Sequence, residues 1–415
     1  MRIKVDVEQV RVGMYIAALD RPWLESPFLF QGFVVENEDD LETLRKHCNY
    51  VFIDDVKSRD SEEVRELIDE MTTSADVSVK RDRQSAERAE QGTVTSFRDN
   101  IKHAVQSFRR SSDGVIRFFN DMRLGKSIET EDAKAVVSEL VTTISSNVNT
   151  ALWLTNLRAQ HEETASHCLN TSIFALAFAR HLGYSTEQLE MVGMGALLHD
   201  LGIARVPAHI LTKPGNLNEE EFEIVKKHPR DGFSVLKLTR EIPEGVLEIV
   251  LHHHERVNGS GYPQGLKDEQ ISEPVRVVAI ADMYDSMTSE RVYRKAMSPQ
   301  DALTAMHKRA EVDFGKRLVE EFIKCVGIYP IGSLVVLNTG ALGVVVSSNP
   351  DARLKPLILL VRDEQGKDVV PRKLVNLATL ANHGGTQSWA ISRVVKPADY
   401  GVDISAIAAE EMRLN

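Results

Sequence analysis

The sequence predicts a mainly α protein: one large all-helical domain, preceded by a small mostly-β N-terminal domain and followed by a short β C-terminal appendage. Three observations carry this. From Thr93 to about Ile328 apolar residues recur at helical spacing almost throughout. Before residue 56 and after Tyr329-Pro330 the period shortens to two, or the apolar runs become continuous. Between the first β region and the helices, Lys57 to Gln91 contains no Gly or Pro and crowds charges of both signs. At 415 residues the chain has room for two or three domains.

Residues 3–56 alternate short apolar runs (VRVGMYIAAL, FLFQGFVV, YVFIDD) with Gly, Pro and Asp punctuation, and one short helix near Asp40 to His47 interrupts them. The charged stretch after them reads as a solvated helix or a flexible linker. In the helical region one face carries Leu169, Ile173, Leu176 and Ala177, another Leu189, Val192, Ala196 and Leu197, a third Val246, Ile249 and Val250. Start signals agree: Ser185 sits three residues before Gln188, Asn218 precedes a run of Glu, and Pro274 opens the helix of Val275 and Val278. The tail strands SLVVLN, LGVVVSS and PLILLVRD are separated by turn signals at Asn338 to Gly340, Asn349-Pro350 and Gln365-Gly366. The expected boundaries are 1–56 for the N-terminal domain, 57–92 for a charged linker, 93–328 for the helical domain, and 329–415 for the β-rich appendage and tail.

Composition narrows the function classes. With 42% hydrophobic and 27% charged residues the chain reads as globular, and no apolar run reaches eighteen residues, so no membrane span is expected. The N-terminus lacks the layout of a secretory signal, which points to a cytoplasmic protein. Cys48, Cys168 and Cys325 are odd in number, far apart and not in C-x-x-C pairs, against both a disulfide framework and a thiolate zinc site. A net charge of -11 opposes binding of a nucleic-acid polymer, although a few local cations can still hold a small anion.

Histidine is unevenly distributed: nine of the thirteen lie between His161 and His254. A lone histidine is more often a surface or satisfied core residue than a ligand, but these come with carboxylates at helical spacing. Glu163 and His167 are four apart and share a helix face. His199 and Asp200 end the apolar helix MGALLHDLG, where an isolated buried carboxylate is costly unless paired or bound to a metal. His228 follows Phe222 and Val225 at inward-facing spacing, and LHHHE brings three adjacent histidines, His252 to His254. Asp282 stands inside the apolar run VRVVAIADMYDSM. Imidazole plus carboxylate without thiolate suits Fe, Mn, Zn or similar ions. So many ligands exceed what one ion takes, so two or more divalent ions with a bridging aspartate is the economical reading, a site that clamps a phosphoryl group and activates water.

The HDLG of His199-Asp200, KKHP, HHERVNGSGYP and ADMYDSMTSERVYRKA stand in order and resemble the HD-GYP family, a branch of the HD metal-dependent phosphohydrolases. The resemblance runs from about Thr155 to Tyr329, and the N-terminal GMYIAALDRPW and PFLFQGF look like a small domain often fused ahead of it. It implies an all-helical HD-type domain that hydrolyses the bacterial second messenger cyclic di-GMP to pGpG or GMP with two or three divalent ions, Fe or Mn. It implies His167, His199, Asp200, His228, His253, His254 and Asp282 as metal ligands, with Asp200 at the bridging position, His199 and Asp200 as the catalytic pair, and Glu163 as the extra acid of members holding a third ion. His252 is then the odd histidine of the triplet. Gly261 and Tyr262 would line the nucleotide, Gly259, Gly261 and Gly265 giving positive φ and close backbone approach, while Arg291 and Arg294 would contact the substrate phosphate.

Two positions depart from the family's pattern. Ile203 stands where HDxGK has its lysine, with Arg205 two residues later, and Asn258 stands where members commonly carry Asp. The missing lysine keeps a second expectation alive, a slow, metal-containing cyclic di-GMP receptor that signals to partners through its N-terminal domain. A third, a broader nucleotidase acting on mononucleotides or guanosine tetraphosphate, is disfavoured by the GSGYP segment.

Overall fold

The computed structural model describes residues 2–20, 33–35, 37–54, 58, 104–105, 108–124, 130–157, 163–289, 296–349, 352–379 and 389–413. The chain forms two compact units, Met1–Ser85 and Ala86–Asn415. Apart from Ser58, the expected linker at 57–92 lies outside the described residues.

The first unit is a four-stranded antiparallel sheet of β1 (Arg2–Asp6), β2 (Tyr15–Leu19), β3 (Phe33–Val34) and β4 (Tyr50–Asp54), in the order β1-β4-β2-β3. Helix α1 (Glu38–His47) forms where expected, capped by the Asn37 side chain on the Asp40 amide, with acids in its first turn and bases in its last. Its Leu41 and Leu44 close a small core with Val5, Met14, Ile16, Val51 and Ile53.

In the second unit a helical stretch at 108–123 precedes α2 (Thr130–Ser146) and α3 (Val148–Leu154). At the centre stands α4 (Glu163–His181), buried on every side from His167 to Ala179, as a helix enclosed by others must be. Around it pack α5 (Thr186–Leu198), joined by Ser172 donating to the Gly193 carbonyl, α9 (Glu273–Thr288) through Phe174 on Tyr284, and α11 (Lys316–Val326) through Phe178 on Phe322. Between α5 and α9 the chain forms α6 (Glu219–Val225), α7 (His228–Leu238) and α8 (Glu244–His252), and α10 (Pro299–Lys308) precedes α11. Both start signals, Ser185 and Asn218, close capping boxes, with Gln188 and Glu221 respectively.

The tail is an antiparallel sheet of β5 (Leu334–Leu337), β6 (Leu342–Ser347), β7 (Leu357–Arg362), β8 (Asp368–Asn376) and β9 (Ile391–Val395), in the order β8-β7-β6-β5-β9. It is seated on the helical part, with the Ser348 hydroxyl and amide both donating to Asn149 of α3. Helix α12 (Ile404–Arg413) was not anticipated; it buries Ile407 and Ala408 and is tied to β8 by Arg372 with Glu410 and Glu411. Among the described residues no helix is long and apolar enough to cross a membrane.

Candidate metal centre

Five segments of the helical part deliver imidazoles and carboxylates to one point. Helix α4 brings His167, the end of α5 His199 and Asp200, the start of α7 His228, the end of α8 His253 and His254, and α9 Asp282. The donor atoms fall into two groups, Asp200 with His228, His253 and His254, and His167 with His199 and Asp282; within each group they lie within 4.8 Å of one another.

The helix ends explain why these rings point inward. The last carbonyls of a helix have no partner inside it. Three histidines use them: Nδ1–H of His199 donates to the Ala196 carbonyl (2.7 Å), that of His228 to Val225 (2.8 Å) and that of His253 to Val250 (2.9 Å). Each bond fixes the tautomer and aims Nε2 at the common point, the usual way a metal-binding imidazole is oriented. His167 reaches the same state through a carboxylate, its Nδ1 lying 2.7 Å from Asp285, which also accepts from Asn170 (3.1 Å). Close backbone approach holds the frame together: a Cβ on Gly202, just after His199-Asp200, would collide with the His228 carbonyl.

Asp200 lies between the groups. One carboxylate oxygen is 3.0 Å from His228 Nε2 and 3.7 Å from His253 Nε2, and the other is 3.6 Å from His199 Nε2 and 3.9 Å from His167 Nε2. Asp282 divides itself similarly, 3.0 Å from His167 Nε2 and 3.9 Å from His254 Nδ1.

The donor set fits divalent ions. Among the described residues His199 Nε2 is fully buried with no hydrogen-bond partner, a costly state that a bound cation would remove. His228 and His253 turn their Nε2 atoms toward each other at 3.2 Å and toward the same Asp200 oxygen, a convergence of donors that suits one cation. Protonation is also suitable, since metal ligands must be deprotonated. Burial pushes His199 down to about 4, and burial together with His253 and His228 pushes His254 well below the ordinary imidazole value. Burial alone would raise Asp200 and Asp282, but the surrounding imidazoles hold both well below the usual carboxylate range. His167 and His228 differ: burial opposes charge on both, yet hydrogen bonds to Asp282 and Asp285 push His167 up to about 10, and the hydrogen bond to Asp200 raises His228.

The GSGYP loop turns out to be braced from within. The Glu255 side chain is buried and accepts from the amides of Gln264 (2.7 Å) and Leu266 (2.9 Å). The amides of Gly259, Ser260 and Tyr262 are likewise engaged, by Arg256, Asn258 and His254. Those five amides are therefore taken up within the loop. Gly259 and Gly265 do adopt positive φ, whereas Gly261 does not; its Cβ would collide with the His254 carbonyl and the Arg256 amide, so close approach alone requires glycine there. Tyr262 lies at the edge of the centre, its ring 4.7 Å from that of His254. Asn258 accepts from the amide and hydroxyl of Ser260, bonds that Asp would make equally well.

Of the remaining expected site residues, Glu163 begins α4 exposed and belongs to neither group, and Arg291 and Arg294 lie outside the described residues. His252 belongs to neither group. Phe222 is a correction: inward spacing suggested core, but it is 44% exposed, because α6 buries none of its residues fully. Sequence reasoning missed Asp285, whose signal was present: a second acid one turn after Asp282 in the same apolar run.

Comparison with known proteins places these elements in context. The HD domain family matches residues 149–318, a domain of unknown function residues 2–133, and a KOW domain associated with the HD domain residues 334–401. A cyclic di-GMP phosphodiesterase of Pseudomonas aeruginosa is 33% identical over 378 residues, covering 90% of this chain and 88% of that one. A cyclic di-GMP phosphodiesterase response regulator of Xanthomonas campestris is 40% identical over 148 residues, 35% of this chain and 39% of its own length. A 3'3'-cGAMP-specific phosphodiesterase of Vibrio cholerae is 35% identical over 158 residues, 38% of this chain and 36% of its own.

Proposed function

Because this chain belongs to the HD-GYP family of phosphodiesterases, we propose that it hydrolyses cyclic di-GMP to pGpG, to GMP, or to both, in bacterial second-messenger signalling. The observation that carries this reading is Asp200, whose two oxygens face two separate groups of imidazoles. A carboxylate so divided suits a pair of ions rather than one.

In this reading His167, His199, Asp200, His228, His253, His254 and Asp282 hold two divalent ions, Fe or Mn, and Glu163 joins them where a third binds. Bound there, such ions would supply an activated water and a clamp on the phosphoryl oxygens. The chain's own residues do the rest. Backbone carbonyls at three helix ends and the Asp285 carboxylate keep four imidazoles aimed before substrate arrives, so little reorganisation accompanies the reaction. Tyr262 borders the point of attack, and Gly261 lets its loop lie against the α8 terminus. Arg291 and Arg294 offset charge on the non-bridging oxygens as water attacks phosphorus in line and the 3′ oxygen leaves, opening the ring to a 5′-phosphorylated dinucleotide. We assign the domains as 1–56, 57–92, 93–328 and 329–415, place the protein in the cytoplasm, and give the N-terminal domain the role of meeting signalling partners.

The test is a substrate panel with Mn or Fe: cyclic di-GMP, 3'3'-cGAMP, mononucleotides and guanosine tetraphosphate. Preferred turnover of cyclic di-GMP is expected; preference for mononucleotides would overturn the reading. One observation favours a slower receptor-like protein: Ile203 supplies no cation, and Arg205 is drawn to Asp231 at 4.0 Å. Ile203→Lys distinguishes the two. A rise in turnover of about tenfold or more marks a damped site, and an unchanged rate shows that Ile203 is tolerated.

A further inference from the structure

Helix α6 stands on the rim of the metal centre and owes little to the core. It has no fully buried residue and is held by its capping box and by Lys213 donating to Glu221 at 2.6 Å. Its C-terminal carbonyl, that of Val225, is the one that orients His228, so the helix is fixed directly to the centre. One turn earlier it presents Phe222, 44% exposed, at right angles to Tyr262 with ring centroids 6.4 Å apart. Tyr262 in turn lies 4.7 Å from His254. The ammonium of Lys226 sits over the Phe222 ring, 4.8 Å from its centre, and is paired with Glu223. The Phe222 ring stands on a polar seven-residue helix and contributes nothing to the core, which leaves it open to a ligand at the rim.

We propose that Phe222 is a substrate-binding residue: its ring stacks on one purine base of the bound dinucleotide, with Tyr262 as the side wall and Lys226 covering the opposite ring face. A purine held there stands beside the centre that receives its phosphodiester. Base-on-aromatic stacking tolerates different bases, so this contact contributes affinity more than base identity. The inference rests on the cyclic di-GMP reading above and names what that reading lacked, a base contact in place of the amides that the GSGYP loop keeps for itself.

The experiment measures kcat and KM for cyclic di-GMP in the metal-loaded full-length protein and in Phe222→Ala, Phe222→Leu and Phe222→Tyr, with metal content determined for each. Phe222→Ala should raise KM about tenfold, corresponding to about 1.4 kcal/mol, with kcat reduced less than threefold and metal content retained. Phe222→Leu should resemble Ala, and Phe222→Tyr should restore KM. A Leu variant with wild-type KM would overturn the proposal, as would an Ala variant that loses kcat and metal together, since that outcome makes Phe222 a mere support for His228. If wild-type protein turns over cyclic di-GMP while KM is insensitive to all three changes, only this inference falls. If wild-type protein hydrolyses other phosphate esters but not cyclic di-GMP, the functional reading falls and takes the inference with it.

Discussion

The floor of the metal centre and the loop at its edge are both built from buried polar groups, but they balance them differently. In the loop from Glu255 to Lys267, both carboxylate oxygens of Glu255 meet amides, and the neighbouring amides are satisfied locally. The loop is complete as protein. On the floor His199, His228 and His253 each spend the outer ring nitrogen on a backbone carbonyl, while the inner nitrogens converge on Asp200 and on one another, and among the described residues that of His199 makes no hydrogen bond. A buried polar group without a partner is among the costlier features a fold can carry. The difference teaches that the floor is organised for something other than protein, and the loop is organised to stay out of its way.

That contrast can be broken at three places. The largest effect is expected on the floor itself, where His199→Ala should abolish turnover, about a thousandfold or more, and lose metal with it; a variant with full metal content and rate would refute the donor assignment. Asp285→Asn comes next. It keeps the shape but weakens the grip on His167 Nδ1, so metal affinity should fall about 10–100-fold, read by competition with a chelator. The smallest effect on chemistry is expected in the loop. Glu255→Gln turns an amino group toward one of the two amide donors, which should cost about 2–3 kcal/mol of stability in chemical denaturation while metal content is retained. Loss of metal in Glu255→Gln without loss of stability would erase the distinction between floor and loop.

Much of this was legible in the residues, for identifiable reasons. Clustered histidines and acids inside apolar runs mark groups that cannot be buried unpaired, which is how Asp200 and Asp282 stood out. The same argument applied to Asp285 would have found it, but that acid was hidden beside the more prominent Asp282. Choosing His253 and His254 over His252 required family register, because three adjacent residues at the end of a helix point in three directions and spacing alone cannot rank them. The bracing by Glu255 was illegible: its partners, Gln264 and Leu266, are backbone amides, which have no sequence signature. Phe222 misled because inward spacing implies a core only when the helix has one to face, and α6 lies on a rim. Helix α12 escaped because its buried stripe, Ile407 and Ala408, is too short to set a period against the strands before it.

The central claim is that Asp200 joins two metal positions in a working phosphodiesterase. Its most direct test is metal stoichiometry by mass spectrometry on anaerobically purified protein, with product analysis on cyclic di-GMP from the same sample. Two or three Fe or Mn per chain and the appearance of pGpG or GMP are expected. No more than one ion per chain, or a full complement with cyclic di-GMP bound and left intact, would contradict it.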